Sequence, residues 1–158
     1  MATPPPAVDA RDPGRLVADM VDGVLDIAAT WPAWDGVPRR WGDREYTPHK
    51  AIRRVADHLV DHLAEIDARL AGSTPLPDRW HASSMTTPSD LAPFTELDLE
   101  EARSRLQRLS QVWTLRLSGI SAAQLDNREQ DAWTLREVAF HVSESIDYAR
   151  AVGRLGDA

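Results

Sequence analysis

The chain has 158 residues, no cysteine and a formal net charge of -7. That composition excludes a disulfide framework, a thiolate nucleophile and any cysteine-ligated metal cluster, and the acidic balance argues against a generic binder of nucleic acid or anionic membrane. With 42% hydrophobic and 27% charged residues, the sequence reads as one ordinary globular domain that can fold without staples.

Residues 1–12 begin Met1-Ala-Thr-Pro-Pro-Pro6 and read as a flexible N-terminal arm, with the folded domain over 13–158. The start carries neither the basic region nor the apolar run of a secretory signal. The longest apolar stretch, Val24–Trp34, contains Asp26 and Pro32 and is too short to span a bilayer. A cytoplasmic protein acting on a small-molecule substrate, with no nucleic acid and no membrane as partner, is the resulting expectation.

Asp12-Pro13 is a cap followed by first-turn proline, and Leu16, Met20, Val24 and Ile27 recur at helical spacing, so a first helix is predicted over 13–30. Its acidic stripe, Asp19, Asp22 and Asp26, is expected to face solvent. Trp31, Trp34 and Trp41 lie in a Pro- and Gly-containing loop, where they would cover one end of the helices or line a ligand pocket. Thr47-Pro48 opens a second helix whose stripe is Ile52, Val55, Leu59, Leu63, Ile66 and Leu70, ending near Gly72.

The stretch 73–97 contains Pro75, Pro77, Pro88 and Pro93 and is long for a connection between packed helices. Asp98-x-x-Glu101 predicts the start of a third helix, with Leu99, Ala102, Leu106, Leu109 and Trp113 on its buried face and Ser118-Gly119 at its end. Ser121–Leu125 has room for one turn. Thr134-x-x-Glu137 opens a fourth helix running to about Arg154. No segment shows sustained strand alternation. The predicted fold class is all-α: an antiparallel four-helix bundle with a long crossover loop between helices 2 and 3.

The two halves share an order: a helix, a Trp-bearing connection, an aromatic-Thr start (Tyr46-Thr47, Trp133-Thr134), then a helix carrying histidine. At about 100° per residue, His58 and His141 each sit one step behind a stripe residue, Leu59 and Val142, and so occupy the same flank of their helices. His62 follows His58 by four residues and rises from the next turn of that face. If the two flanks converge, three imidazoles can meet one divalent transition metal such as Zn or Ni and leave a coordination position open, the arrangement of catalytic sites. Asp61 and Glu144 are candidate carboxylates to orient or complete that set. The plainer alternative keeps His58 and His62 on a boundary face beside Asp57, Asp61 or Glu65, with His141 a hydrogen-bonded interior residue. His49 and His81 are expected to be exposed. Ser143 and Ser145 read as ordinary helix residues; Tyr148 and Arg150, near the end of the last helix, could reach the site but read first as surface packing.

Two segments, Thr47-Pro-His-Lys-Ala-Ile-Arg-Arg-Val-Ala-Asp-His58-Leu and Trp133-Thr-Leu-Arg-Glu-Val-Ala-Phe-His141-Val-Ser-Glu-Ser145, resemble the DinB-like superfamily, which includes the N-terminal domain of mycothiol-dependent maleylpyruvate isomerase. The resemblance spans residues 13–154. It implies an antiparallel bundle with a long crossover, often a homodimer, with a metal on three helix-borne histidines. It also implies a metal-dependent small-molecule transferase or isomerase that uses a low-molecular-weight thiol such as mycothiol. The superfamily commonly takes one histidine from the second helix and an H-x-x-x-H pair from the last; here the pair, His58 and His62, is on the second helix and Ser145 stands at the other place. The alternative is a metal-free dimeric or ligand-binding bundle without catalytic activity.

Overall fold

A computed structural model describes residues 3–77 and 84–156. In chain order these form α1 (Pro13–Ala28), a 3-10 turn (Trp31–Ala33), β1 (Arg39–Trp41), β2 (Arg44–Tyr46), α2 (Pro48–Leu70), a 3-10 turn (Pro88–Leu91), α3 (Glu96–Ser118), α4 (Ala122–Leu125), α5 (Leu135–Ser143) and α6 (Ile146–Val152). The chain is therefore mostly helical, as predicted. His81, expected to be exposed, lies outside the described residues.

Three of the four predicted helix starts are as read, and Thr47 caps α2 by accepting from the Lys50 amide at 3.2 Å. Asp12 Oδ1 accepts from the Arg15 amide at 2.7 Å at the head of α1. Thr134 and Glu137 make a reciprocal box before α5: the Thr134 amide donates to Glu137 Oε2 (2.8 Å) and the Glu137 amide to Thr134 Oγ1 (3.1 Å). The third start is corrected. Thr95, not Asp98, caps α3, with the Asp98 amide donating to Thr95 Oγ1 (3.3 Å) and the Thr95 amide to Asp98 Oδ2 (2.7 Å). Asp98 is thus the third residue of the helix and closes a box that begins three positions earlier.

Three further expectations are revised. First, α1 ends at Ala28, and Pro32 holds the following segment in a separate turn. Second, the all-α reading omits a small hairpin, in which Arg39 pairs with Tyr46 and Trp41 with Arg44. Gly42, the first of its two turn residues, has φ 62°, as a two-residue turn of the II′ kind requires. Third, the predicted last helix is two, divided at Glu144 and Ser145. There the amides of Glu144 and Ser145 reach back only three residues, to His141 and Val142 (3.1 and 3.0 Å), tightening the turn locally.

The core lies between α1, which packs along α3 and against α5 and α6, and α2, which packs against α6, α3 and α5. Val17, Met20, Val21, Val24 and Ala28 come from α1, Ile52, Val55, Leu59 and Ile66 from α2, Leu99, Ala102, Leu106 and Trp113 from α3, and Val138 and Val142 from α5. The α1 stripe is broader than predicted, with Leu16 and Ile27 at its half-buried margins. Leu70, placed in the α2 stripe by its spacing, is exposed because it belongs to the last turn.

Tryptophans fix the two long helices. Trp113 is fully buried and donates its Nε1–H to the Leu59 carbonyl at 2.9 Å, which pins α3 to α2 one residue past His58. Trp31, also fully buried, donates to the Gly153 carbonyl at 2.8 Å. Trp34 is half-buried and Trp41 is exposed, so of the three loop tryptophans only Trp31 closes the core. Asp19, Asp22 and Asp26 face solvent as predicted. Thr3 accepts from Trp133 Nε1 at 3.2 Å, and the Arg11 guanidinium lies 5.5 Å from the Phe140 ring centroid. No helix among the described residues is long and apolar enough to cross a membrane.

Candidate metal centre

The two histidine flanks converge. His58 and His62 on α2 and His141 near the end of α5 each offer one ring nitrogen, and the three atoms lie within 4.8 Å of one another. His58 and His141 are closest, with their Nε2 atoms 3.0 Å apart. His58 and His62 are buried, while the His141 side chain is 29% exposed, so the cluster meets solvent on the α5 side.

Each ring is held from behind by an oxygen. His58 Nδ1 is hydrogen-bonded to Ser145 Oγ at 2.6 Å, His62 Nδ1 to Glu65 Oε2 at 2.7 Å and His141 Nδ1 to Glu144 Oε2 at 3.3 Å. A proton placed on each Nδ1 leaves the Nε2 lone pair to face the cluster, which is how outer oxygens orient metal-ligating imidazoles. Burial, reinforced by His62, His141 and Arg54, pushes His58 down to about 2, so this ring is neutral, the form that ligates. Burial opposes the charge on Glu65, yet its hydrogen bond from His62 and the nearby Arg69 outweigh burial and hold the carboxyl below its ordinary range.

Arg69 links the two halves. It donates to the Trp133 carbonyl (2.9 Å) and to Glu65 Oε1 (3.4 Å), and the Trp133 ring lies 4.9 Å from that of His141. Tyr148, on α6, accepts from an Arg54 guanidinium nitrogen at 3.0 Å, and its ring is 6.2 Å from His58.

The donor set fits a divalent transition metal. Two imidazole lone pairs 3.0 Å apart repel unless a proton or a cation lies between them. Ions at roughly 2.0–2.1 Å from each nitrogen bring neighbouring ligands to about 3.0–3.4 Å. The widest separation in the triad, within 4.8 Å, would have to narrow to that range when an ion binds. Three imidazoles without thiolate suit Zn²⁺, Ni²⁺ or Fe²⁺.

Among the sequence-predicted residues, all three histidines are brought together, and Glu144 stands behind one of them. Glu65, first considered as a surface partner, has the same role behind His62. Ser145 is corrected from an ordinary helix residue to the hydrogen-bond partner of His58, buried to 1% exposure. Tyr148 is corrected in the same way: it lies against Arg54 and near His58, while Arg150 stays on the surface. His49 is not exposed as expected but half-buried against Phe94, with its Nε2 3.0 Å from the Pro93 carbonyl. It lies apart from the triad, on the first turn of α2. Arg54, Arg69 and the role of Ser145 escaped the sequence reading. Neither a known family, nor a curated protein, nor a solved structure matches this chain.

Proposed function

We propose that this chain is a metal-dependent enzyme of small molecules, a transferase or isomerase that uses a low-molecular-weight thiol of the mycothiol kind. The observation that carries the proposal is the set of three imidazoles from two helices, each oriented from behind by Ser145, Glu65 or Glu144. His58, His62 and His141 would hold the ion. When bound, a zinc or nickel ion lowers the pKa of a thiol and favours the nucleophilic thiolate.

The chain's own residues supply position and shelter. Ser145, Glu65 and Glu144 keep the rings in one tautomer; Trp133 packs against His141, and Arg69 holds both Trp133 and Glu65. The sequence resemblance to the DinB-like superfamily supports the reading, together with its finer fold, an antiparallel four-helix bundle in which α5 and α6 together serve as the fourth helix. A homodimer in the cytoplasm belongs to the same proposal. Addition of Co²⁺ and then mercaptoethanol to the purified chain tests it. A sulfur-to-cobalt charge-transfer band supports the reading, and a chain that binds cobalt but never the thiol contradicts it.

A second reading rests on the same 3.0 Å contact. With one proton shared between them, His58 Nε2 and His141 Nε2 satisfy each other, and the protein is then a metal-free ligand-binding bundle. That reading predicts a melting temperature indifferent to added zinc.

A further inference from the structure

Arg69 has a second side. While its Nη1 holds Glu65 and the Trp133 carbonyl, the residue also lines a cavity of about 300 Å³ at the end of α2, with Leu70, Gln124, Asn127, Glu129 and Leu135 among its walls. That volume is enough for a small ligand. The loop that supplies Asn127 and Glu129 is tied to α5 by two charged bonds, Arg136 to Asp126 at 2.6 Å and Arg128 to Glu137 at 2.5 Å. The wall is therefore fixed by α5.

The Arg69 side chain is only 6% exposed, yet its guanidinium has more donors than the chain uses. Nε is buried without an acceptor: Glu129 Oε2 stands 3.8 Å away, beyond hydrogen-bond range. Nη2 makes no hydrogen bond among the described residues and, unlike Nε, is not sealed from solvent. Buried polar groups left over in this way are rare and call for an explanation. Two neighbours are also underused. Gln124 employs its side-chain oxygen alone, which accepts from the Ser121 amide and hydroxyl at 3.0 and 3.1 Å. The Asn127 side chain has no hydrogen-bond partner among the described residues.

Charge decides what could fit. Arg69 stands between two carboxylates, with Glu65 Oε1 3.4 Å from Nη1 and Glu129 Oε2 3.8 Å from Nε. Its charge is already offset, and an anionic ligand would meet Glu129 as well. The cavity thus offers a donor and a carboxylate acceptor side by side, next to the apolar side chains of Leu70 and Leu135. An amide answers both at once, because its oxygen accepts from a guanidinium N–H while its own N–H donates to a carboxylate.

We infer that this cavity is a binding site for a neutral small molecule that carries an amide N–H beside an apolar group, with Glu129 the acceptor that selects the N–H and Arg69 the donor to the amide oxygen. The site goes beyond the metal reading and does not rest on it, so the metal-free chain serves for the test.

The experiment follows the side-chain amide resonances of Gln124 and Asn127 in the ¹⁵N-labelled chain during titration with benzamide, N,N-dimethylbenzamide and benzoate. Benzamide is expected to move both resonances and to bind about tenfold tighter or more than the dimethyl compound, which keeps the carbonyl but has no N–H. E129A, a change at a half-exposed loop residue, removes that preference and leaves the dimethyl compound's affinity as it was. Benzamide that moves neither resonance at its solubility limit overturns the site. Equal affinities for the two amides in the unaltered chain, or an undiminished preference in E129A, overturn the role of Glu129 and the amide class with it. Benzoate binding more tightly than benzamide contradicts the charge argument and makes the cavity an anion site.

Discussion

His58 and His141 are separated by 83 residues in sequence, yet their Nε2 atoms stand 3.0 Å apart. Packing of α2 against α5 and α6 makes that meeting, and Trp113, bonded to the carbonyl next along from His58, keeps α2 in register with α3.

The oxygen behind each ring should matter nearly as much as the ring. Ser145→Ala removes the hydrogen-bond partner of His58 Nδ1, and loss of such an outer partner lowers metal affinity by about 10–100-fold. Isothermal titration with zinc measures it. An affinity equal to that of the unaltered chain contradicts the role given to Ser145.

Asp90 gives the chain a defined acid response. Burial opposes its charge, but hydrogen bonds from Arg53 and Thr87 outweigh burial and hold its pKa below the ordinary carboxylate value. The folded state thus binds this proton less readily than the unfolded state. The stabilisation is complete above the unfolded pKa of about 3.9 and is lost as pH falls through the lower folded value. Asp90→Asn should cost roughly 1.5–3 kcal/mol at neutral pH. Urea titrations of both chains should show the gap narrowing below about pH 4; a constant gap across that range argues against the charge-based account.

Trp113 is the anchor between the two long helices. Trp113→Ala should destabilise the chain by about 3–5 kcal/mol. Trp113→Phe, which keeps most of the apolar contact but abandons the Leu59 carbonyl, should cost roughly 1–3 kcal/mol. Thermal melts of the two variants separate packing from hydrogen bonding; equal losses would assign the whole effect to the hydrogen bond that both variants lack.

Much of the site was legible because helical phase is a local property. The shared flank of His58 and His141 follows from their positions beside Leu59 and Val142, and only the packing partner was missing. The carboxylates obey a local rule as well: His62-x-x-Glu65 and His141-x-x-Glu144 carry the same spacing, which places acid and imidazole on adjacent turns. Ser145 was not legible. Its role depends on a bond across 87 residues, and the break between α5 and α6 that accompanies it uses residues that are no helix breakers. The hairpin did leave a signal, Gly42-Asp43 between two short polar runs, but strands of three residues with charged side chains show no alternation to read. Arg54 was hidden by its type, since an arginine beside an apolar stripe ordinarily snorkels to water.

The central claim, one divalent metal on His58, His62 and His141, is tested most directly by equilibrating the chain with zinc, removing free ion and measuring bound zinc per chain beside the triple variant H58Q/H62Q/H141Q. The account predicts one zinc per chain in the unaltered protein, none in the variant, and a higher melting temperature for the zinc-loaded form alone. Equal zinc content in the two proteins, or a zinc-free native chain whose melting temperature ignores the ion, would contradict it.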